Sequence, residues 1–476
     1  MSEKILDCRF LARIVIKAET PLSVKSGEKD IITDAVVIRD VNGMPYIPGS
    51  SIAGVVRHAW KDMKGENKEQ DVFGFQNGDK SGQGSRIIFS EARILNAKGK
   101  VMDGIQSKNS IANDVLLKYY EALPIRQHVR INHLGTAEDT GKFDEQVVFA
   151  GTCFCFEVEM IGAKEDEDDF KQLLSILDSS SFRLGSGTRS GFGKIKIVSI
   201  QYDKLFKNDL RYLEKSSNLE QSKTWYKGVF DNEVKDEKNG WISLKYRLVP
   251  DDFFLFGTGF GDEDADMTPV SEMKVVWNGD EAEVKEHIYL LPASSIKGAV
   301  AHRVAYHYNK LTKIYAEDFA KNGKNDKGRM EEYVGSNNKA VRLLFGFEGN
   351  EKNRKIRGNV IFSDLYDDKR EGQSKILNHV AIDRFTGGAI DGALFSEKAV
   401  YGKGIGTFIL EILVDEVRIR KLIHELYPGE KETEMFNNVK EALDNTLADI
   451  CEGRLPLGGG VNRGHGVFRG KKIGNK

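Results

Sequence analysis

Two aspartates, Asp34 and Asp266, occupy matching places in the two halves of the chain. Each lies seven residues after a glycine, Gly27 and Gly259, in a loop that follows a β-rich segment. Beside a phosphate backbone a carboxylate is unfavourable unless it holds a divalent ion or orients a ribose hydroxyl for attack on the adjacent phosphate. The plainer reading is a solvated loop acid. Around Asp266 the neighbours Asp262, Glu263 and Asp264 make a cation site easier.

Two glycine runs follow at the far end of each half. Leu184 to Ile197 reads LGSGTRSGFGKIKI, and Leu457 to Gly470 reads LGGGVNRGHGVFRG. Both fit one frame, with Gly185, Gly187, Gly191 and Gly193 matching Gly458, Gly460, Gly464 and Gly466. A Rossmann loop follows a strand and opens a helix, whereas each run here is expected to leave a helix and enter a strand. A Walker loop needs Gly-Lys-Ser/Thr, which neither run has. A curled backbone with exposed N–H groups remains, suited either to a plain turn or to a phosphate. Arg189 and Lys194 in the first run, and Arg463 and His465 in the second, add charge.

Pro48-Gly49-Ser50-Ser51 and Pro292-Ala293-Ser294-Ser295 also pair between the halves. Each predicts a helix start capped by serine, with Ile52, Val55, Val56 and Ala59 forming one apolar face. A helix start also attracts phosphate, with Arg57 near one, and Lys297 and Arg303 near the other. The segments Arg130 to Gly151 and His379 to Gly402 are long for hairpin connections and read as protruding clamps. Their candidate contacts are Arg130 and His133 in the first, and Arg384 and Thr386 in the second.

These landmarks recur in one order, so the chain reads as one module used twice. The expected boundaries are a first module over 1–202, a charged linker over 203–240 and a second module over 241–476, with a polar insertion near 310–339. Strands open at Ala12 to Lys17 and Ile242 to Leu248. Helices are expected around Phe170 to Leu177 and Lys431 to Glu452. The fold class is α+β: β-α-β-β-α-β twice, a ferredoxin-like module whose open sheet face serves RNA in related folds.

Composition agrees with a globular chain: 476 residues, 40% hydrophobic, 30% charged, formal net charge −2. That charge does not advertise a nucleic-acid binder, although a groove needs only local positive charge. The four cysteines are not spaced as a zinc site and read as reduced thiols of a cytoplasmic protein. No membrane segment or secretory signal is expected.

Taken together, Asp34 before Val37-Ile38-Arg39-Asp40, then Tyr46-Ile47-Pro48-Gly49-Ser50-Ser51, the pair Phe73-Gly74-Phe75 and Phe345-Gly346-Phe347, Ser85-Arg86-Ile87-Ile88-Phe89, and Ile382-Asp383-Arg384-Phe385-Thr386-Gly387 resemble the RAMP superfamily. More narrowly they resemble the backbone subunits of type III CRISPR effectors. The resemblance implies partners: a CRISPR guide RNA, a complementary target RNA and other effector subunits. It implies thumbs at the two hairpins that kink the guide. It also implies target-RNA cleavage at Asp34 and Asp266 with a divalent metal, Mg2+ or Mn2+, and no organic cofactor. Two rivals are a non-catalytic scaffold and a metal-independent guide-processing ribonuclease. The latter needs a histidine or similar acid–base set, and His58, His302 and His465 read as lying at non-equivalent positions. The first hairpin departs from the family with Asn132-His133-Leu134-Gly135, and the stretch after Asp266 departs with an extended run through Val276 to Glu286.

Overall fold

The computed structural model describes residues 5–28, 33–78, 81–230, 240–320, 330–348, 355–367, 373–401 and 407–474. Gly402, the expected exit of the second hairpin, and residues 321–329 of the expected insertion lie outside them.

The first half runs β1 (Cys8–Ala18), α1 (Gly49–Lys64), β2 (Ile87–Phe89), a hairpin of β3 (Ile125–Ile131) and β4 (Ala137–Gln146), β5 (Cys153–Gly162), α2 (Glu167–Leu177) and β6 (Ile195–Phe206). The sheet order is β6-β1-β5-β2, antiparallel throughout. Alternation along β1 sends Phe10, Ala12, Ile14 and Ile16 to one face. There they pack with Ile52, Val56 and Trp60 of α1 and Phe170, Leu173 and Leu177 of α2.

The opposite face is not open, which corrects the expected RNA surface. It carries Leu11, Arg13 and Val15, so it is itself too apolar to leave in water. The segment expected to be a linker covers it. β6 continues to Phe206, β7 (Gly228–Val229) pairs with β6, and Leu219 and Tyr226 are buried against the sheet. Arg13 donates to the Leu219 carbonyl at 3.0 Å, and Tyr212 to Glu159 at 3.0 Å. Residues 203–230 therefore pack as part of the first module. Cys153 and Cys155 lie under this cover, where burial pushes both thiols up to about 12.

The second half repeats the connectivity with β8 (Trp241–Pro250), an added hairpin of β9 (Ser271–Asn278) and β10 (Glu281–Leu291), α3 (Ala293–Leu311), β11 (Val360–Phe362), a hairpin of β12 (Gln373–Ile382) and β13 (Ala389–Tyr401), β14 (Phe408–Asp415), α4 (Glu416–Leu426), α5 (Glu432–Cys451) and β15 (Phe468–Ile473). Its sheet order, β15-β8-β14-β11, matches that of the first half strand for strand.

The β9–β10 hairpin is the extended run seen after Asp266, and it straps the halves together. Val275 and Ala282 join the first module's core. The Val275 amide donates to the Ala150 carbonyl and the Ala282 amide to the Ala97 carbonyl, both at 2.8 Å. Trp277 Nε1 donates to the Gly151 carbonyl at 2.8 Å. Gly151 has φ +89, and the Val275 carbonyl occupies the space a side chain would take. Beside the strap, Arg126 of β3 is 5% exposed and bonds both Glu272 and Asp364, the latter at 2.6 Å. Among the described residues no helix is long and apolar enough to cross a membrane.

Candidate nucleic-acid interface

Each loop aspartate is stitched to the returning strand of its own hairpin. In the first module the Asp34 amide donates to Asp144 Oδ1 at 2.9 Å, and the Asp144 amide returns a bond to Asp34 Oδ2 at 3.2 Å. In the second, the Asp266 amide donates to Ser396 Oγ at 3.0 Å, and the Ser396 amide and hydroxyl both donate to Asp266 Oδ2, at 2.8 and 2.9 Å. Those two donors hold the Asp266 carboxyl below the usual carboxylate range. Both aspartates are exposed. Their settings differ: Asp34 faces a second carboxylate, whereas Asp266 faces a hydroxyl. Lys398 sits 3.2 Å from Asp262 and 3.4 Å from Asp264, so those acids are engaged by an ammonium. Among the described residues no group of three or more His, Cys, Asp or Glu is arranged to hold a metal.

The first hairpin stands between the two acid loops. On one side Asp144 holds Asp34. On the other, Gln127 lies against Gly259, and Lys142 lies 5.6 Å from the ring centre of Phe260, in the loop that carries Asp266. Its tip reaches over the second module's α3 and encloses a groove of about 1130 Å³. Arg130 and His133 form one wall, with Lys297, His302 and Arg342 opposite and Phe345 and Phe347 alongside. Burial and the nearby Arg189 push the Lys297 ammonium down to about 8. A matching groove of about 640 Å³ lies over α1, lined by Gly54, His58, Arg183, Arg189, Trp241 and Arg357. Glu138, Glu331 and Glu348 also line the first groove and Asp62 the second, so basic, acidic and aromatic groups alternate there; the basic and aromatic ones suit a nucleic-acid strand.

The helix starts differ from expectation. Pro48 and Pro292 are the N-caps of α1 and α3, and no side chain caps either helix. Ser50, Ser51, Ser294 and Ser295 lie inside the first turns, so their hydroxyls leave the terminal amides unserved. At α3 the first of these amides, on Ala293, instead binds Asp364 Oδ1 at 2.7 Å. Arg57 is held by Glu69 and by the Gly74 carbonyl at 3.0 Å, and Arg303 lies 2.5 Å from Asp449. Both are thus engaged within their own modules, with part of each side chain exposed.

In the glycine runs all eight framed glycines have positive φ, which explains the frame as a backbone requirement. The candidate contacts within the runs are engaged by other protein groups. Arg189 donates to the Gly358 carbonyl at 3.1 Å and lies over Trp241; Lys194 pairs with Glu19 and Glu411 at 3.2 and 3.1 Å. Gly191 packs against Ala293 and Asp364, so this run is part of the joint between modules. In the second run, Arg463 and the buried His465 both pair with Glu397. The second hairpin's tip carries Arg384, exposed, and Thr386, whose hydroxyl bonds Asp383 at 3.0 Å.

Two repeated features escaped the sequence reading. His58 and His302 are equivalent: each is the tenth residue of its helix, and each lines the groove over it. Further, His128 stacks on Phe143 and His379 on Phe395, with ring centres 4.8 and 4.9 Å apart and a glutamate two residues beyond each phenylalanine. The signal was present, since both histidines stand three residues before the matched Ile131 and Ile382.

Comparison with known proteins agrees with this duplication. The RAMP superfamily model matches the chain twice, over residues 15–196 and 257–469. The CRISPR system Cms endoribonuclease Csm3 of Methanocaldococcus jannaschii is 27% identical over 243 residues, covering 46% of this chain and 89% of that protein. A chain in the cryo-EM structure of the type III-B Cmr-beta bound to cognate target RNA aligns with a TM-score of 0.30 and 14% identity, over 41% of this chain and 61% of its own length. With the family matched in both halves and over most of its length, the chain belongs to the RAMP superfamily.

Proposed function

We propose that the chain is a double backbone subunit of a type III CRISPR effector, that it holds a guide RNA along the two helix grooves, and that it cleaves the paired target RNA at two places. The observation that carries this reading is the first hairpin, which roofs a groove over α3 containing Arg130, Lys297 and Arg342 and separates the loops of Asp34 and Asp266. The similarity to the Csm3 endoribonuclease supports the same class of chemistry. Base pairing with a guide would supply sequence recognition, so the protein need hold only backbone and duplex shape, as in other RNA-guided systems.

Each aspartate, pinned beside a hairpin root, would orient the ribose 2′-hydroxyl upstream of the scissile phosphate and accept its proton. The first loop fits a divalent ion of the Mg2+ or Mn2+ kind, because such ions take one or two carboxylates and complete their shell with water and phosphate. Asp34 and Asp144 would hold it, and it would supply charge neutralisation at the phosphate. In the second loop Asp266 is bonded to a serine in place of a second aspartate, and its neighbours Asp262 and Asp264 are held by Lys398. The test is a guide-loaded complex given matched RNA. Two product ends, one lost with Asp34→Asn and the other with Asp266→Asn, support the reading, while unchanged cutting leaves a scaffold.

A second reading is favoured by one observation, the equivalence of His58 and His302 in the two grooves. It is metal-independent acid–base cleavage of the guide precursor, and cutting that survives EDTA but is lost with His58→Ala and His302→Ala would establish it.

A further inference from the structure

We propose that Glu145 and Glu397 are positioning residues for the two loop aspartates, each clamping a hairpin root to the glycine run of its own module. The inference rests on the cleavage reading above. On both returning strands three consecutive residues, Phe143-Asp144-Glu145 and Phe395-Ser396-Glu397, act together to fix the root. The phenylalanine stacks on the histidine directly across the ladder. The middle residue gives its amide to the loop aspartate. The glutamate, two residues on, shares the face of the stacked rings and is 4% exposed in the first module and 0% in the second.

There the glutamate meets the stacked histidine and the glycine run. Glu145 accepts from Ser23 at 3.2 Å and from Ser186 of the first run at 3.3 Å, and lies 3.2 Å from Lys25 and 3.3 Å from His128 Nε2. Glu397 takes His379 Nε2 at 3.0 Å, His465 Nε2 at 3.4 Å and Arg463. Burial pushes the Glu145 carboxyl up, but His128 and Lys25 outweigh it and hold it at about 2. The histidine, phenylalanine and glutamate are common to both modules, whereas the residues supplied by the glycine runs differ. What is kept is therefore the geometry of the root and not one particular ion pair.

The consequence is local. The middle amide is fixed on both sides, by a stacked ring and a buried carboxylate, so a loosened glutamate lets the strand tilt and moves the aspartate it holds. Displacement of this kind, of about 1 Å, can cost about 10²-fold in rate. Neither glutamate touches the aspartate or lines the grooves, so target binding should not change.

The experiment uses the guide-loaded complex and reads each cut separately under single turnover, with Glu145→Gln and Glu397→Gln beside Asp34→Asn and Asp266→Asn. Glu397→Gln is expected to slow the Asp266-dependent cut by about 10²-fold, with target affinity and the Asp34-dependent cut unchanged. Glu145→Gln is expected to do the converse. The second cut in each molecule serves as an internal control for folding and guide loading. Equal loss of both cuts would mean a merely structural role and overturn the assignment. So would undiminished cutting in the glutamine variants while the aspartate variants lose their cuts. Loss of neither cut in the aspartate variants would instead overturn the cleavage reading itself. Should Glu397→Gln fail to assemble, His379→Gln leaves the carboxylate with Arg463, and it must still slow the Asp266-dependent cut selectively for the assignment to stand.

Discussion

The hairpin of the first module is held by the second module along its length, while the hairpin of the second projects away from the chain. Arg126 anchors the root of the first to Glu272 and Asp364, Gln127 and Lys142 rest on the Asp266 loop, and His133 faces Gly335 near the tip. The second hairpin exposes Phe385 almost entirely, at 98%, together with Arg384. The same element thus appears once docked and once undocked. The roots differ in a second way, since Asp34 is paired with a carboxylate and Asp266 with a hydroxyl.

The joint should break first at Arg126. Replacing it with leucine leaves Glu272 and Asp364 buried without their cation, so denaturation should show a loss of about 3–5 kcal/mol. An unchanged midpoint would mean that the hairpin is not held through this residue. Loss of the equivalent root position in the second hairpin, Leu377, removes no buried ion pair, so Leu377→Ala should cost less.

The grooves come next. Removing Arg130, Lys297 or Arg342 should weaken RNA binding irrespective of sequence and lower the salt slope by about one unit for each charge. Arg384→Ala should leave RNA binding by the isolated chain unchanged and weaken its association with a neighbouring subunit. Equal effects from the two hairpins would erase the distinction between them.

A smaller effect is expected from metal. Asp34 is bonded to a second aspartate and Asp266 to a serine, so titrating Mg2+ into a metal-free complex should restore the Asp34-dependent cut at the lower concentration. Asp144→Asn should bring the two requirements together.

The smallest concerns pH. Lys297 is protonated below about 8 in the folded chain and below its ordinary value when unfolded. Because the unfolded state then holds more protons between these values, stability of the RNA-free chain should rise as pH climbs from about 8. RNA affinity should fall over the same range, as the ammonium that meets phosphate is lost. Lys297→Met should remove both trends.

Local structure was legible in the sequence because it depends on local rules. Alternation marked β1 and β8, helical spacing marked α1 and α2, and eight glycines marked the turns that need positive φ. The docking of one module on the other was not legible. Arg189, Lys194 and Gly191 have the composition of a phosphate loop, and only the fold shows that they face Gly358, Glu411 and Asp364 of the other half. Residues 203–230 looked like a linker because their few apolar side chains, Leu219 and Tyr226 among them, lack periodicity. They pack onto a sheet face whose own apolar residues are apparent only once β1 is in place. The serines at the helix starts looked like caps, but each proline takes the capping position and leaves them inside the first turn. The His–Phe–Glu roots could have been read from the repeat, since His128 and His379 keep the offset of Ile131 and Ile382.

The most direct measurement maps the product ends of a guide-matched RNA cut by complexes carrying the unaltered chain, Asp34→Asn, Asp266→Asn, or both. The account predicts two ends at a fixed separation, each lost with one aspartate and both lost in the double variant, with target binding retained throughout. Two ends that persist in the double variant would contradict it.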